Sequence, residues 1–259
     1  MVVFRGTACN YLLMTVTLWL LSQLNPQAPG LWLLVSALSG AVLLLLWGHL
    51  RNLNRRYARV ARWLLVPYLG LISGALSPRL LGLSNIDWLV SLSLGIGIIF
   101  VVLAALLIVR ATTVLTADYP DVLPKPTRPP GRMRLTPYGS ALLFSGAEEF
   151  HWAFLRGGLW ELLLALPATL TYPAYTAVWL ATTIAAVELL IFPISGQQRL
   201  AKLIILIATT ILFLYTRNFW LCWLLHAGGW LILQPVEQKE AAANLPPISR
   251  SLRKETLPE

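Results

Sequence analysis

Eight apolar runs occupy most of this 259-residue chain. A helix that crosses a lipid bilayer needs about 20 mainly apolar residues. The runs lie near residues 8–24, 30–48, 63–82, 86–109, 138–166, 172–192, 200–216 and 218–235. Hydrophobic residues make up 57% of the chain and charged residues only 12%, about half the charged fraction of an ordinary soluble domain. The sequence therefore predicts an all-α fold, a polytopic transmembrane helix bundle of about eight spans.

The basic residues predict the orientation of this bundle. If the N-terminus is cytoplasmic, only Arg79 and Arg217 lie on the outer, non-cytoplasmic side of the membrane, and Arg156 lies within a span. The other 17 of the 20 basic residues are then cytoplasmic: Arg5, Arg51, Arg55, Arg56, Arg59, Arg62, Arg110, Lys125, Arg128, Arg132, Arg134, Arg199, Lys202, Lys239, Arg250, Arg253 and Lys254. Membrane proteins have this positive-inside asymmetry, so both termini are predicted to be cytoplasmic.

The net charge of +9 does not require a nucleic-acid partner. Basic clusters at the cytoplasmic ends of spans are expected to lie against anionic membrane lipids. We therefore expect an integral, multi-pass protein of the cell (inner) membrane or of an internal membrane. Charge orients such a protein but does not select between these membranes.

Two membrane halves are expected, one on each side of a proline-rich segment. The N-terminal four-helix half covers residues 1–110, and the C-terminal four-helix half covers residues 138–235. The predicted cytoplasmic loop at 111–137 contains YPDVLPKPTRPPGR, which is too rich in proline and charge to form a core. Residues 236–259 are predicted to form a polar cytoplasmic tail. The first four runs have no ionisable residue at their centres, so chemistry is expected in the second half.

Residues 146–158, GAEEFHWAFLRGG, place ionisable groups inside the fifth apolar run. A charge at membrane depth costs at least about 2.5 kcal/mol, so such groups usually face a protein interior or a cavity and indicate a functional site. Glu149 and Arg156 share one helix face with a rise of about 10 Å, which makes a direct ion pair marginal and a water-bridged pair easy. Glu148 and His151 are also predicted neighbours.

Two adjacent carboxylates do not both ionise readily in a poorly hydrated site, so one of them is expected to hold a proton. This arrangement suits a general base that activates water. His226, in NFWLCWLLHAGGW, and Glu188, in TIAAVELLIF, belong to later runs. Glu149 and His226 are expected at similar depths of about 14–17 Å, with Glu188 nearer the cytoplasm. All of these groups can then open to one inward-facing cavity.

GAEEFHWAFLRGG and the later FWLCWLLHAGG together resemble the CPBP family, which comprises CAAX prenyl endopeptidases and Abi-type proteins. The resemblance covers about residues 140–235. The family motifs are EExxxR, FxxxH and a late histidine. By this match Glu148 and Glu149 correspond to the paired glutamates, Arg156 to the motif arginine and His226 to the late histidine. The resemblance implies an intramembrane endopeptidase in which glutamate and histidine activate water for peptide hydrolysis.

The chain departs from the family pattern at three places. Six residues separate Glu149 from Arg156 where the motif has three, a shift that a π-bulge would absorb. No FxxxH lies between the two segments, and Glu188 is the polar residue nearest to its expected place. Trp230 occupies the position of the family's late asparagine. Glu188 is therefore the candidate replacement for the second histidine.

The resemblance implies no cofactor and a peptide or protein substrate with a membrane-proximal segment, the prenylated tail being the family's namesake. Three alternatives stay open. The missing FxxxH favours an inactive CPBP-like protein that acts as an assembly or regulatory factor. Glu148 and His151 imitate the Glu-x-x-His of carboxylate-bridged metal sites, although those sites need the motif twice, so a divalent metal is not excluded. A transporter is disfavoured because the sequence has no internal symmetry.

Overall fold

The computed structural model describes residues 14, 17–18, 21–50, 52–116, 137–166, 170–193 and 196–243. These residues form helices and no strand, so the all-α prediction is confirmed for them. The helices are α1 (Pro29–Leu45), α2 (Asn52–Ile72), α3 (Trp88–Thr116), α4 (Pro137–Leu164), α5 (Pro173–Ile191), α6 (Gly196–Thr216) and α7 (Phe219–Ala243). Most of the first predicted span, the proline-rich loop after Thr116 and the tail after Ala243 lie outside the described residues.

Among the described residues, three segments are long and apolar enough to cross a membrane. They are Trp88–Ala111 in α3, Pro173–Ile191, and Gln198–Thr216 in α6. The shorter helix Pro29–Leu45 and the first part of α7, Phe219–Ile232, are also apolar. Large apolar side chains cover much of the outer surface, with Leu89 84% exposed and Phe100 74% exposed. An outer surface of this kind is compatible with contact with lipid.

The third predicted span, residues 63–82, is wrong in its bounds. Helix α2 starts earlier, at Asn52, and ends at Ile72. The chain then turns through residues 73–87, where Gly74 and Gly82 have positive φ angles of 77° and 74°. Apolar side chains in this turn, such as Leu76 and Leu81, are buried, so the sequence shows one apolar run where the structure has a helix and a docked turn.

The turn after α2 docks against the turn between α6 and α7. The backbone N–H of Phe219 donates to the carbonyl oxygen of Gly82 at 2.9 Å. A Cβ atom on Gly82 would lie 2.7 Å from the carbonyl oxygen of Arg217 and 2.9 Å from the nitrogen of Phe219. Residue 82 therefore needs glycine both for its φ angle and for the close approach of the two turns.

Helix α4 lies at the centre of the bundle, where it packs against α1, α2, α5 and α7. Helices α3 and α6 complete the bundle around α7. Helix α4 is one uninterrupted α-helix, so no π-bulge separates its two glutamates from Arg156. Side chains of α4, of the turn after α2 and of helices α5 and α6 form the main core. They include Leu76, Leu81, Trp152, Phe154, Leu155, Leu159, Ala177, Ala181, Ile205 and Leu206. Because helices surround α4, its ionisable residues are enclosed by protein.

Two helices extend further toward the C-terminus than the predicted spans. Helix α3 continues to Thr116, into the predicted loop at 111–137. Helix α7 continues to Ala243, so residues 236–243 of the predicted tail are helical. Both extensions are more polar than the runs they prolong, and hydropathy alone therefore does not detect them.

Candidate functional site

Helix α4 carries its ionisable side chains into the bundle interior. Glu149 and His151 are fully buried, and Glu148 and Arg156 are 1% exposed. His226 of α7 is also fully buried. A buried charge needs a partner of opposite sign or several hydrogen bonds to be tolerated. The partners of these groups therefore define the site.

Glu149 pairs with one residue of its own helix and one of α7. Nη2 of Arg156 donates to Oε1 of Glu149 in a direct ion pair, where the helical rise had favoured a water bridge. The long arginine side chain leans toward the start of the helix and thereby crosses two turns. Nδ1 of His226 lies 3.2 Å from Oε2 of Glu149. The predicted convergence of Glu149, Arg156 and His226 is therefore observed.

Glu148 pairs with Lys202 of α6. Nζ of Lys202 donates to both carboxylate oxygens, at 2.7 and 2.6 Å. The ammonium also lies 5.7 Å from the Trp63 ring centroid and 5.6 Å from that of Trp230. Lys202 was predicted to be a cytoplasmic surface charge, and this prediction is wrong because its side chain reaches inward and is only 12% exposed.

Glu188, on α5, contacts side chains of α2 and α4 and is linked to α1 through Arg62. Nη2 of Arg62, on α2, donates to Oε1 of Glu188 at 2.6 Å, and Nε of Arg62 donates to the carbonyl oxygen of Ser36, on α1, at 3.2 Å. Nε2 of His151, on α4, lies 2.9 Å from Oε2 of Glu188. The predicted neighbours Glu148 and His151 therefore bind different partners. The expectation that only the second half carries this chemistry is also wrong, because α2 supplies Arg62.

The charges of this centre are balanced. Among the described residues, Glu148 has Lys202, Glu149 has Arg156 and Glu188 has Arg62 as a cationic partner. A nearby cation favours the ionised form of a carboxyl group. Each of the two adjacent glutamates thus has its own cationic partner, and the expectation that one of them holds a proton stays a prediction.

His226 lies between the two glutamates of α4. Its Nε2 is 3.6 Å from Oε2 of Glu148 and has no hydrogen-bond partner among the described residues. Its ring stacks on Trp152 with 4.6 Å between centroids. Because the Glu149 carboxylate accepts this hydrogen bond, Nδ1 of His226 is its donor. Glu149 and His226 thus form a carboxylate–histidine dyad aimed at Glu148.

A small cavity separates the Glu148 pair from the Glu188 group. It offers about 20 Å³, lined by Arg59, Trp63, Glu148, Trp152, Ala185, Glu188, Leu189, Phe192 and Lys202. This volume suffices for one water molecule and is far too small for a peptide. Glu148 and Glu188 face the cavity, whereas Glu149, Arg156 and His226 lie behind that wall. The structure therefore divides the predicted site residues into an inner layer and a cavity-facing layer.

The metal alternative depended on Glu148 and His151. These side chains bind Lys202 and Glu188, respectively. Within the described ranges, no group of three or more His, Cys, Asp or Glu side chains is arranged to hold a metal ion.

Two residues of the centre, Arg62 and Lys202, escaped the sequence analysis. Each was counted with a cytoplasmic cluster of positive charge. Arg62 is the last basic residue before an apolar run, and Lys202 already lies inside one. A basic residue at such a boundary can bury its stem and turn its charge inward or outward. The position of Arg62 and Lys202 at the start of an apolar run was the available signal for a buried role. Whether such a side chain points into the protein or away from it depends on how the helices pack.

No protein-family model, no curated protein and no solved structure matches the chain. The resemblance to the CPBP family therefore stays a prediction from the two sequence segments. Arguments about function depend on the geometry of the centre.

Proposed function

We propose that the chain is an integral, multi-pass membrane protein that hydrolyses peptide bonds within the membrane, as an intramembrane endopeptidase of the CPBP type. One observation carries the proposal. Glu148 and Glu149 of α4 meet His226 of α7 in one buried centre beside a cavity with room for one water molecule. The apolar helices and the positive-inside asymmetry support the membrane location.

Glu148 is the proton acceptor in this proposal. It lines the cavity, whereas Glu149 does not. A general base must lie within hydrogen-bond reach of the proton it removes, directly or through one water. A water molecule in the cavity would meet this requirement, since Glu148 lines the wall and His226 contacts the same carboxylate from behind. As Glu148 takes a proton, the hydroxide attacks the carbonyl carbon of the peptide.

Glu149 and Arg156 are positioning residues in this mechanism. Glu149 binds Nδ1 of His226, and Arg156 holds Glu149 in place. A hydrogen bond of this kind fixes the tautomer and the orientation of an imidazole ring. The Glu149–His226 dyad therefore holds Nε2 beside the Glu148 carboxylate, which faces the cavity.

Lys202 and the Glu188 group complete the site. The ammonium of Lys202 lies beside Glu148 and can move onto the developing oxyanion, where a prepositioned charge stabilises the transition state. This movement also frees Glu148 to act as a base. Glu148 then passes its proton to the leaving amine, while Glu188, held by Arg62 and His151, forms the opposite wall of the cavity. The bond to the carbonyl carbon breaks, and an acid and an amine result.

The substrate is a peptide or protein with a membrane-proximal segment, with or without a lipid. The cavity measures about 20 Å³, so the helices around it must separate to admit such a segment. Arg59, Trp63 and Phe192 lie at its wall together with Lys202. We therefore place the entrance between α2 and the α5–α6 connection, on the predicted cytoplasmic side.

The test compares the termini of membrane proteins in cells that carry the wild-type chain, a deletion, Glu148→Gln or Glu149→Gln at equal abundance. Glu161→Gln is the matched control, because Glu161 lies on the same helix but accepts the backbone N–H of Ser77 at 3.2 Å, away from the centre. We expect one set of termini to disappear in the deletion and in both centre variants and to persist in Glu161→Gln. Those termini would identify the substrates.

A second function is favoured by the charge balance. Three carboxylates with three cations form a self-contained polar core, which can fix helix packing without catalysis. The chain would then be an inactive assembly or regulatory factor. Under this alternative, Glu148→Gln at wild-type abundance has the termini of wild type, while the deletion has a growth or assembly defect.

A further inference from the structure

A second cavity lies at the other end of the bundle. It measures about 350 Å³ and is lined by Trp160, Thr171, Tyr172, Pro173, Ala174, Tyr175, Val178, Phe213, Leu214 and Arg217. Along α6 and the turn after it, Arg217 follows Lys202 by a rise of about 22 Å. The ring of Phe213 separates this cavity from the centre, since the guanidinium of Arg156 packs on it at 4.5 Å. The two cavities are therefore distinct.

Among the described residues that line this second cavity, Arg217 alone is charged. Its guanidinium carbon lies 5.1 Å from the ring centroid of Trp160. No carboxylate of the described residues forms an ion pair with it. Tyr172 and Tyr175 on the rim are both exposed. The cavity thus presents one cation on an aromatic wall, with no acidic side chain to neutralise it.

The backbone holds Arg217 in an unusual conformation. Its φ angle is 47°, in the left-handed region where glycine normally ends a helix. The N–H of Arg217 donates to the carbonyl oxygen of Phe213 at 2.7 Å. Gly82 packs against the carbonyl oxygen of Arg217. Glycine would satisfy this turn without strain. A strained arginine at a cavity suggests that the side chain itself has a function.

We propose that this cavity binds the phosphodiester headgroup of an anionic membrane phospholipid. A guanidinium group matches two phosphate oxygens with parallel hydrogen bonds. Trp160, Tyr172 and Tyr175 contact the glycerol and the upper acyl chains, as aromatic residues do at membrane interfaces. Leu170 and Tyr215, next in sequence to the lining residues Thr171 and Leu214, are also exposed. The inference rests on the membrane location proposed above and not on proteolysis.

Native mass spectrometry of the purified full chain in detergent tests this site with phosphatidylglycerol and phosphatidylcholine as probes. Arg217→Gly removes the cation and relieves the left-handed backbone. Arg217→Asn is a second uncharged variant that tolerates this conformation. Arg79→Gln is the matched control, because Arg79 is also on the predicted outer side but does not line the cavity. Melting temperatures verify that each variant is folded.

We expect wild type and Arg79→Gln to retain one phosphatidylglycerol more strongly than phosphatidylcholine. Both Arg217 variants should lose about tenfold in phosphatidylglycerol affinity, the effect of removing hydrogen bonds to a charged group, while Arg217→Gly keeps the wild-type melting temperature. Unchanged binding in the folded Arg217 variants would overturn the proposal. So would equal retention of both lipids, or displacement of the lipid by millimolar inorganic phosphate or by a peptide carboxylate. None of these results bears on the termini experiment, which tests proteolysis separately.

Discussion

Lys202 sets the electrostatics of the cavity-facing glutamate. Its ammonium group donates to both oxygens of Glu148, and the Lys202 side chain is only 12% exposed. Removing one partner of a buried ion pair leaves the other charge without compensation. Glu148 and Lys202 are therefore expected to depend on each other for stability.

We predict that Lys202→Met lowers the free energy of unfolding by about 3–5 kcal/mol. The double variant Glu148→Gln/Lys202→Met should be more stable than the sum of the single changes implies, because it removes both charges. Unfolding of the purified protein in detergent, followed by tryptophan fluorescence, measures each value. Arg79→Met, at an exposed position, is the control and should have a small effect. Additive single effects would contradict a coupled buried pair.

Among individual residues, some of the ion pairs can be predicted from the sequence and others cannot. Glu149 and Arg156 are neighbours because of the helical repeat, so a single segment predicts their pairing. The partners of Glu148 and Glu188 come from α6 and α2, far away in the sequence. Their choice depends on how helices cross and on which way long basic side chains extend. Local spacing therefore placed His151 beside Glu148, although in the folded chain it pairs with Glu188.

At the scale of elements, hydropathy locates helices but not every end. The ends of α5 and α6 lie close to those of the predicted apolar runs. The run at 63–82 was different, because it joins the second part of α2 to a buried turn. Glycines with positive φ make that turn, and their sequence neighbours are as apolar as a span. A hydropathy profile does not distinguish burial in protein from burial in lipid.

Two glycines of this turn permit a matched comparison. Gly82→Ala adds a Cβ atom in a left-handed conformation and against the backbone of the α6–α7 turn. Gly74→Ala has the same conformational problem, but nothing lies within 4 Å of its Cβ position. The conformational strain costs roughly 1–2 kcal/mol in each case. We predict that Gly82→Ala lowers the melting temperature clearly more than Gly74→Ala. Equal melting temperatures would contradict the docking of the two turns.

At the scale of the whole molecule, the two cavities are expected to lie on opposite sides of the membrane. The candidate active site adjoins the predicted cytoplasmic ends of α5 and α6, and the Arg217 cavity adjoins the predicted outer ends. The positive-inside asymmetry predicts this orientation. Neither the number of spans nor the sidedness follows from the packing of the helices alone.

Cysteine labelling tests the orientation. In a background with Cys9→Ala and Cys222→Ala, we predict that Arg79→Cys reacts with an impermeant maleimide on intact cells. Lys125→Cys, in the predicted cytoplasmic loop, should react only after the membrane is permeabilised. Labelling of both positions from the same side would contradict the eight-span orientation.

The central claim is that the buried centre activates water and does not merely fix helix packing. The double variant Glu148→Gln/Lys202→Met tests it most directly, because it removes the base while keeping the core neutral. Its membrane-protein termini would be compared with those of wild type at equal abundance. The protease account predicts a folded protein whose specific termini are all missing. Wild-type termini in a folded double variant would contradict that account and leave the centre as a structural core.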